Sequence, residues 1–276
     1  MHRYAAILAY DGAEYQGFQR QPAPTPTIQA AVEAAVAAVT RQTCAVIGAG
    51  RTDTGVHALG QVIAFDVDWN HGEDDLLRAI NSQLPLDIAL QRLWRQDDFH
   101  PRYDARWRQY AYRIATVKAR NPLLNRTAWQ LVGERLHVDS MREAAAKCLG
   151  EHDFGAFGTA PQQGSDNTVR QIFQSRWEAE TKEYGAAYTY RIRGTAFLYH
   201  MARRLVGTMV QVGRGKLSLQ GFEDILRSCD VERAKVLAPP QGLVLEAVGY
   251  SPRHKANYST IRTAAGAAEA PLEESI

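Results

Sequence analysis

The segment from Gly48 to Ala58 carries the residues whose types and spacing could do chemistry in this chain. It holds three glycines, and Arg51 stands two positions before Asp53, its one carboxylate. Glycine lets a backbone turn tightly or approach a ligand closely, and a nearby guanidinium can orient a carboxylate. An ionised, positioned aspartate can act as a nucleophile or as a base. The alternative is that Asp53 only caps a turn through backbone hydrogen bonds.

Asp53, Thr54 and Gly55 also form an Asp-Thr-Gly triplet, which is typical of aspartic proteases. Those enzymes use two carboxylates that share one proton. The chain contains no second Asp-Thr-Gly or Asp-Ser-Gly, so a protease would need two copies of the chain with both loops at their interface. Aspartic proteases usually have apolar residues before the aspartate, whereas Arg51 and Thr52 stand there. The sequence therefore disfavours a protease.

The wider sequence around Asp53 resembles the tRNA pseudouridine synthase A family. The stretch from Gly50 to Ala58 is similar to that family's catalytic motif, in which alanine is usual at the position of Thr54. Further similar blocks follow in family order as far as about residue 250, and chance does not produce that density. They are Tyr10–Gly12 with Tyr15, Gly17, Gln19 and Gln21, Thr27–Gln29, Phe99–Arg102 through Ala105 to Tyr110 and Tyr112, Gly150–Phe154 with Phe157, Gly194–Arg203 with Val206 and Gly207, and Ala238–Leu243.

The resemblance implies an enzyme that isomerises uridine to pseudouridine at nucleotides 38, 39 and 40 of the tRNA anticodon stem-loop, without a cofactor. It implies that Asp53 is the essential carboxylate. Tyr110 corresponds to the active-site tyrosine that stacks on the uracil, and Arg203 corresponds to the basic residue that pairs with Asp53. Together these three residues favour an enzyme over a catalytically silent tRNA-binding or chaperone protein on the same scaffold.

Three further residues are expected to bind substrate. Arg51 would approach the RNA backbone or fill the space left by the extruded base. Thr54 adds a hydroxyl that could touch the substrate or a turn amide. His57 is the third, and neither it nor His152 has the neighbouring ligand spacing of a metal site, so no metal is expected. Family members act as homodimers in which tRNA contacts both subunits, which predicts a homodimer with tRNA as its partner.

The elements that must position these residues follow from hydrophobic periodicity. The first half reads as strand, helix, strand, strand, helix, strand, and the second half repeats the theme less cleanly. Thr25 and Pro26 predict the start of the first helix, and Ser140 with Glu143 is a capping-box pattern that predicts the start of a later one. Strands are predicted at 4–10, 44–47, 61–67, 88–94, 108–115, 170–177, 187–193 and 243–250, and helices at 28–39, 74–84, 140–150, 197–212 and 221–228.

This pattern predicts an α+β protein of two similar lobes, each a mixed, mainly antiparallel sheet with helices on one face. An active-site cleft between the lobes completes the pseudouridine synthase fold that the resemblance implies. The predicted lobes are residues 1–105, with the catalytic Asp53, and residues 106–250. A tail at 251–276 follows, and its small, polar composition predicts flexibility.

Charge is distributed unevenly along the 276 residues, although the net charge is only +2. Residues 92–126 hold nine basic and three acidic residues, and residues 191–216 hold six basic and no acidic ones. Aromatic residues lie within both runs, as an RNA cleft requires for phosphate contact and base stacking. The two runs therefore predict an RNA-binding surface that the neutral total conceals.

Three widely spaced cysteines without a Cys-x-x-Cys pair argue against a zinc site and a disulfide framework, and they predict a reduced compartment. The sequence after Met1 runs into a strand-like pattern with no apolar signal region. No apolar stretch of about 18 residues is present to span a bilayer. We therefore expect a soluble, cytoplasmic protein without a membrane span.

Overall fold

One mixed sheet organises the computed structural model, which describes residues 1–160 and 167–254. Within these residues the strands are β1 (His2–Tyr10), β2 (Ile47–Gly48), β3 (His57–Val67), β4 (Ile88–Arg95), β5 (Ala105–Val117), β6 (Trp129–Val132), β7 (Gly150–Asp153), β8 (Val169–Lys182), β9 (Gly185–Gly194) and β10 (Leu243–Tyr250). Eight of them follow the order β4-β1-β3-β10-β5-β9-β8-β7, with β2 beside β3 and β6 beside β5. The predicted α+β class is confirmed.

Helices cover the sheet through apolar side chains at helical spacing. α2 packs against β4, α3 against β8 and α4 against β5. The indole nitrogen of Trp177 on β8 donates to the sulfur of Met209 on α4 at 3.3 Å, and the Trp177 ring stacks on Tyr190. The helices in the described residues are α1 (Ile28–Thr40), α2 (Glu73–Gln83), α3 (Val138–Ala146), α4 (Met201–Gly213) and α5 (Leu219–Ser228).

A row of side chains crosses the middle of the sheet on the face that carries α4. The strand register pairs Tyr10 with Ala58, Ala58 with Leu245, and Leu245 with Tyr110. β10, the last strand along the chain, therefore lies between β3 and β5 and joins the strands of the first half to those of the second. The two predicted lobes share one continuous sheet, and the predicted boundary at residue 105 coincides with the first residue of β5.

Some predicted helix starts and caps are wrong. α1 begins at Ile28 as predicted, but its N-cap is Thr27, whose hydroxyl accepts the Ala30 amide at 3.4 Å, and not Thr25. α3 has His137 at its N-cap, so Ser140 lies inside the helix and forms no capping box. α4 begins at Met201, four residues later than predicted, because His200 adopts a left-handed conformation that a right-handed helix cannot include.

The strands also differ from prediction at several points. The predicted strand at 44–47 is reduced to β2, and β3 begins at residue 57, four residues earlier than predicted. β6 and β7 were not predicted, because four residues are too few for a periodic signal. Of the predicted tail, residues 255–276 lie outside the described residues. His254 folds back onto the sheet, with its ring 2.6 Å from the Gln96 amide nitrogen.

Candidate active site

Asp53 lies in a loop, residues 49–56 (the Asp53 loop). The backbone of this loop forms hydrogen bonds with the segment after β1 both before and after Asp53. The Thr52 carbonyl accepts the Phe18 amide at 3.1 Å. The Thr52 hydroxyl lies 2.8 Å from the Tyr10 hydroxyl, in a buried hydrogen bond. Phe18 belongs to the loop after β1, residues 11–27 (the proline-rich loop). The residue before Asp53 is therefore fixed by two elements that are distant in sequence.

The start of the Asp53 loop is held by two side chains from the sheet, the buried Gln61 and the partly buried Arg108. The Gln61 amide donates to the Gly50 carbonyl at 2.9 Å, and the Arg108 guanidinium donates to the Ala49 carbonyl at 2.9 Å. Arg108 also donates to the carbonyls of Arg102 and Thr195, at 2.8 and 3.0 Å. This partly buried arginine, counted among the basic residues of the predicted RNA surface, instead joins three segments of the chain through these hydrogen bonds.

Two glycines allow the proline-rich loop to approach the Asp53 loop closely. Gly17 has a φ of +87°, and a β-carbon there would lie 2.8 Å from the Thr52 carbonyl oxygen. A β-carbon on Gly12 would lie 2.0 Å from the Val56 carbonyl oxygen. Any larger residue at either position would therefore push the two loops apart.

An ion pair between Asp53 and Arg203 forms the centre of the candidate site. Nη1 of Arg203 donates to Oδ2 of Asp53 at 3.0 Å, although the two residues are 150 positions apart in sequence. The Nε of Arg203 donates to the Ala238 carbonyl at 2.8 Å, which fixes the guanidinium plane. The Asp53 side chain keeps 19% of its surface exposed, so a ligand can still reach it. The predicted pairing of these two residues is present in this geometry.

Tyr110 lies on the sheet face that carries α4, the helix of Arg203, and is close enough to Asp53 to feel its charge. Its ring packs edge-to-face against Phe197, with centroids 4.9 Å apart. The pKa of Tyr110 is raised to about 12, mainly by burial, with Arg108 lowering it and the negative charge of Asp53 adding to the rise. Tyr110 is therefore a neutral phenol at physiological pH. Tyr112, its neighbour on the face, donates its hydroxyl to the Pro239 carbonyl at 2.7 Å and serves packing.

Arg51 and Thr54 lie on the exposed side of the Asp53 loop. The Thr54 hydroxyl donates to the Gln16 side-chain oxygen at 3.4 Å. Arg51 forms no ion pair with any carboxylate in residues 1–160 and 167–254. Both side chains are thus exposed within two residues of Asp53, and their predicted substrate contacts stay predictions.

His57 lies on the opposite face of the sheet from Tyr110. The register pairs His57 with Val244 and Ala58 with Leu245, and side chains alternate between faces along a strand. The buried His57 ring accepts the Gly12 amide at Nδ1 over 3.1 Å. The structure therefore does not bring His57 together with Asp53, Tyr110 and Arg203, and the predicted substrate contact of His57 stays a prediction.

His200 is a residue of the site that the sequence analysis did not single out. Its Nε2 lies 3.5 Å from Oδ2 of Asp53. The signal was present, because His200 stands three residues before Arg203 within a family-like block, and this spacing puts two residues on one side of a helix.

Many of the basic residues that predicted an RNA surface are bound within the protein. Arg191 pairs with Glu178 and Glu246, and Arg214 donates two hydrogen bonds to Glu134. Three exposed arginines, one in the Asp53 loop and two around the start of β5, pair with no carboxylate in the described part of the chain. These three, which we name the basic rim, are Arg51, Arg102 and Arg106.

The described residues contain no group of three or more histidine, cysteine, aspartate or glutamate side chains arranged to hold a metal ion. In the same residues, no helix has the length and apolar character needed to cross a membrane.

The family model and the curated relatives agree on one family. The sequence model of the family described as tRNA pseudouridine synthase matches residues 6–104 and 144–251. A solved Cbf5-Nop10-Gar1 complex is a distant neighbour, at 11% identity and a TM-score of 0.32 over 77% of this chain and 55% of that one. Three curated relatives, all named tRNA pseudouridine synthase A, come from Neisseria gonorrhoeae (strain NCCP11945; 38% identical over 90% of this chain and 92% of the relative), Myxococcus xanthus (39%, over 91% and 92%) and Pseudothermotoga lettingae (38%, over 91% and 100%).

Proposed function

Since the chain belongs to the tRNA pseudouridine synthase family and isomerises uridine to pseudouridine in tRNA, we propose that Asp53, Tyr110 and Arg203 form its active centre. We propose further that its targets are nucleotides 38, 39 and 40 of the anticodon stem-loop. One observation carries the proposal about the active centre: the 3.0 Å contact between Oδ2 of Asp53 and Nη1 of Arg203, beside Tyr110.

The reaction breaks the bond between ribose C1′ and uracil N1 and forms a bond between C1′ and C5. The C5 proton is lost and N1 gains a proton, so the reaction is an isomerisation without oxidation or reduction. An aspartate carboxylate can add to C1′ or to C6, or it can remove a ribose proton. All three routes use one anionic oxygen held in a fixed place, and the Arg203 guanidinium orients the carboxylate that supplies it.

Tyr110 supplies a flat surface for the uracil. Its phenol stays neutral because burial raises its pKa to about 12, so it does not place a second negative charge beside Asp53. A neutral aromatic ring can stack on uracil, and its hydroxyl remains a hydrogen-bond donor. We therefore assign Tyr110 to holding the base while it turns between cleavage and reattachment.

The target uridine must leave the RNA stack to reach Asp53. A base in a paired stem is inaccessible in place, and extruding it costs a few kcal/mol. The exposed Arg51 stands two positions before Asp53, where it can occupy the space that the base vacates or contact a phosphate. The basic rim supplies three cations for the backbone of the stem-loop.

Tritium release from tRNA that carries 5-tritiated uridine tests the active centre. Wild type should release tritium to water, because the C5 proton is lost in the reaction, and Asp53→Asn should release none above background. Asp66→Asn is the matched control, since Asp66 also pairs with an arginine, Arg3, but lies at the far end of β3. Wild-type rates in the control would show that losing a paired aspartate does not itself abolish activity.

The outcomes separate this proposal from a silent tRNA-binding protein on the same scaffold. Tritium release by Asp53→Asn at the wild-type rate would show that Asp53 takes no part in the reaction. No release by wild type, with tRNA binding intact in a gel-shift assay, would favour the silent scaffold instead. Asp53→Asn that binds tRNA but releases nothing would place Asp53 in the chemical step.

We also propose that the protein is a homodimer and acts in the cytoplasm, where its tRNA substrate is processed. Leu59 is half-exposed and Leu86 fully exposed, and both line an open cavity of about 370 Å³ on the sheet face that carries His57. Exposed apolar surface of this kind is typical of protein interfaces. A double Leu59→Glu and Leu86→Glu variant should be monomeric by light scattering. A variant that remains dimeric would exclude this interface, and a monomeric wild type would exclude the dimer.

A further inference from the structure

His200 has a backbone conformation that residues with side chains rarely adopt. Its φ is 66° and its ψ is 0°, at the N-cap of α4. Among the described non-glycine residues, Arg41 and Cys229 also have positive φ, but both end helices, where a left-handed residue is common. His200 begins a helix, and a strained residue at a cleft indicates that its side chain is used.

The His200 ring is fixed between Asp53 and Tyr199. Its Nε2 lies 3.5 Å from Oδ2 of Asp53. The Tyr199 ring stacks on it, with centroids 3.7 Å apart and planes at 28°. Tyr199 is itself anchored, because its amide donates to the Thr159 carbonyl at 3.0 Å. The left-handed backbone and the stacked ring together aim the imidazole at the carboxylate.

His200 and Arg203 contact the same oxygen of Asp53. Both the 3.5 Å contact from His200 and the 3.0 Å contact from Arg203 end on Oδ2. In the residues that the structure describes, no group donates a hydrogen bond to Oδ1 of Asp53. One oxygen of the carboxylate is thus engaged by the protein, and the other is left for a ligand.

We propose that His200 is a positioning residue for the isomerisation, which together with Arg203 holds Oδ2 of Asp53 so that Oδ1 is the oxygen that reacts with uridine. This inference rests on the active centre proposed above. Hydrogen bonds in a catalytic site are often long in the free enzyme and shorten when substrate binds, which fits the 3.5 Å separation.

The uncharged form of His200 suits this task. Burial lowers the pKa of His200 from its usual 6.5, Arg203 and Arg204 lower it further, and the charge of Asp53 opposes them. These groups, with the stacked Tyr199, face the ring from α4, from the Asp53 loop and from the segment before α4. The lowered pKa favours the neutral ring at pH 7, and in the tautomer that carries its proton on Nε2 this ring can donate to Asp53 without adding a second full positive charge, which would weaken the carboxylate as a base or nucleophile.

Three substitutions of His200 separate positioning from structure. His200→Gly removes the ring and relaxes the left-handed backbone. His200→Asn also tolerates that backbone, but its amide reaches only as far as Nδ1 of the histidine. His200→Gln carries an amide nitrogen at about the position of Nε2. Steady-state tritium release and thermal unfolding of the full chain are measured for each variant beside wild type.

We expect kcat to fall about 10- to 100-fold in His200→Gly and His200→Asn, with KM within about two-fold of wild type, and to recover in His200→Gln. The Gly and Asn variants should melt at or above the wild-type temperature. Wild-type kcat in the Gly or Asn variant would overturn the proposal, and so would a loss of kcat that follows a loss of stability or that Gln fails to restore. Wild-type release in the same assay establishes the function itself, so a failure of His200 to matter is distinguishable from a failure of the proposed active centre.

Discussion

The guanidinium of Arg203 has two partners, and each is met by a different nitrogen. Nε donates to the Ala238 carbonyl, and Nη1 donates to Asp53. A planar fork can satisfy both partners because its nitrogens have fixed relative directions. A lysine ammonium carries the same charge but has a single nitrogen, so it cannot reach both partners with that geometry. Charge alone therefore does not account for Arg203.

Arg203→Lys should lower kcat at least about 10-fold, equivalent to about 1.4 kcal/mol, because the carboxylate loses its fixed orientation. Arg204→Lys is the matched control on the same helix, since Arg204 donates to the Ala234 carbonyl at 2.8 Å and does not touch Asp53. The control should lose stability but keep kcat. Equal kcat in the two variants, measured by tritium release, would contradict the role given to Arg203.

The sequence identified some residues of the site but did not show how they are placed in space. Asp53, Tyr110 and Arg203 could be identified because family-like motifs surround them, but only the folded chain brings Asp53 and Arg203 to 3.0 Å. His57 lies on the face opposite Tyr110, since β3 begins at residue 57 and side chains alternate along it, and its substrate contact stays a prediction. The spacing of His200 from Arg203 was a sequence signal for the site, but the left-handed backbone that directs its ring has no sequence pattern.

At the scale of elements, two loops support each other around the carboxylate. The proline-rich loop bonds to the Asp53 loop on either side of Asp53, through the Phe18 amide to the Thr52 carbonyl and the Gly55 amide to the Tyr15 carbonyl. Neither loop has a regular structure of its own in this region, so the rigidity of the carboxylate depends on their contact. Gly17 lies at that contact.

Gly17→Ala should destabilise the protein by about 1–3 kcal/mol, because it adds left-handed strain and a 2.8 Å contact with the Thr52 carbonyl. It should also lower kcat, since the displaced carbonyl immediately precedes Asp53. Gly133→Ala is the control: Gly133 has a φ of +71° but no atom within 4 Å of its β-carbon position, so only the backbone cost of about 1–2 kcal/mol remains. Urea unfolding and tritium release measure both effects, and equal kcat in the two variants would refute the coupling of the loops.

A second contact between elements depends on pH. Arg214 at the end of α4 donates two hydrogen bonds to Glu134, before α3, at 2.6 and 2.7 Å. This pairing lowers the pKa of Glu134 from 4.5. Since the folded state favours the ionised carboxylate, the stabilisation is present above pH 4.5 and is lost as the pH falls through the lowered pKa.

Glu134→Gln should therefore reduce the free energy of unfolding by about 0.5–1 kcal/mol at pH 7, a small value because the pair is partly exposed. The difference from wild type should vanish in acid. Glu151→Gln, at an exposed glutamate with no ion pair in the described residues, should change little at either pH. Urea unfolding across the pH range measures this difference in the free energy of unfolding. A difference that persists in acid would contradict its assignment to the ionised Glu134–Arg214 pair.

Most helices and strands were predictable, but several of their ends were not. Ser140 and Glu143 have the spacing of a capping box, yet the helix begins earlier, because a short polar motif competes with the packing of Met141 and Ala144 into the core. β6 was missed because it is only a four-residue strand added beside β5. Periodicity identifies long elements well, while ends and short strands depend on tertiary contacts.

At the scale of the whole molecule, β10 joins the strands of the first half of the chain to those of the second half. It is parallel to β3 and antiparallel to β5, so residues 243–250 complete a sheet whose other strands come from both predicted lobes. Sequence predicted each strand but not this pairing, because a strand's periodicity carries no information about its neighbours. The Asp53 loop and Arg203 consequently meet above the middle of one continuous sheet.

Neither the near-zero net charge nor the count of basic residues along the sequence describes the basic surface that an RNA can reach. The chain has 32 basic and 30 acidic residues, and the structure shows that part of the basic run, such as the partly buried Arg108, is hydrogen-bonded within the protein. The three arginines of the basic rim remain exposed. Counting charges along a sequence therefore overestimates the charge that an RNA can reach.

The basic rim should control the salt dependence of tRNA binding. Replacing Arg51, Arg102 and Arg106 by glutamine should reduce the slope of log K against log salt concentration by about 0.7–0.9 for each phosphate that the variant no longer neutralises. Arg95→Gln is the control, because Arg95 already pairs with Asp97. An unchanged slope in the triple variant, by filter binding, would place the RNA on another surface.

Mapping the product on unmodified tRNA tests most directly whether Asp53 isomerises uridines of the anticodon stem-loop. Wild type and Asp53→Asn are incubated side by side with one transcript, and pseudouridine is located by carbodiimide modification and primer extension. We expect stops one nucleotide to the 3′ side of each of nucleotides 38 to 40 that depend on wild type and are absent with Asp53→Asn. Stops elsewhere in the tRNA, or the same stops with Asp53→Asn, would refute this assignment.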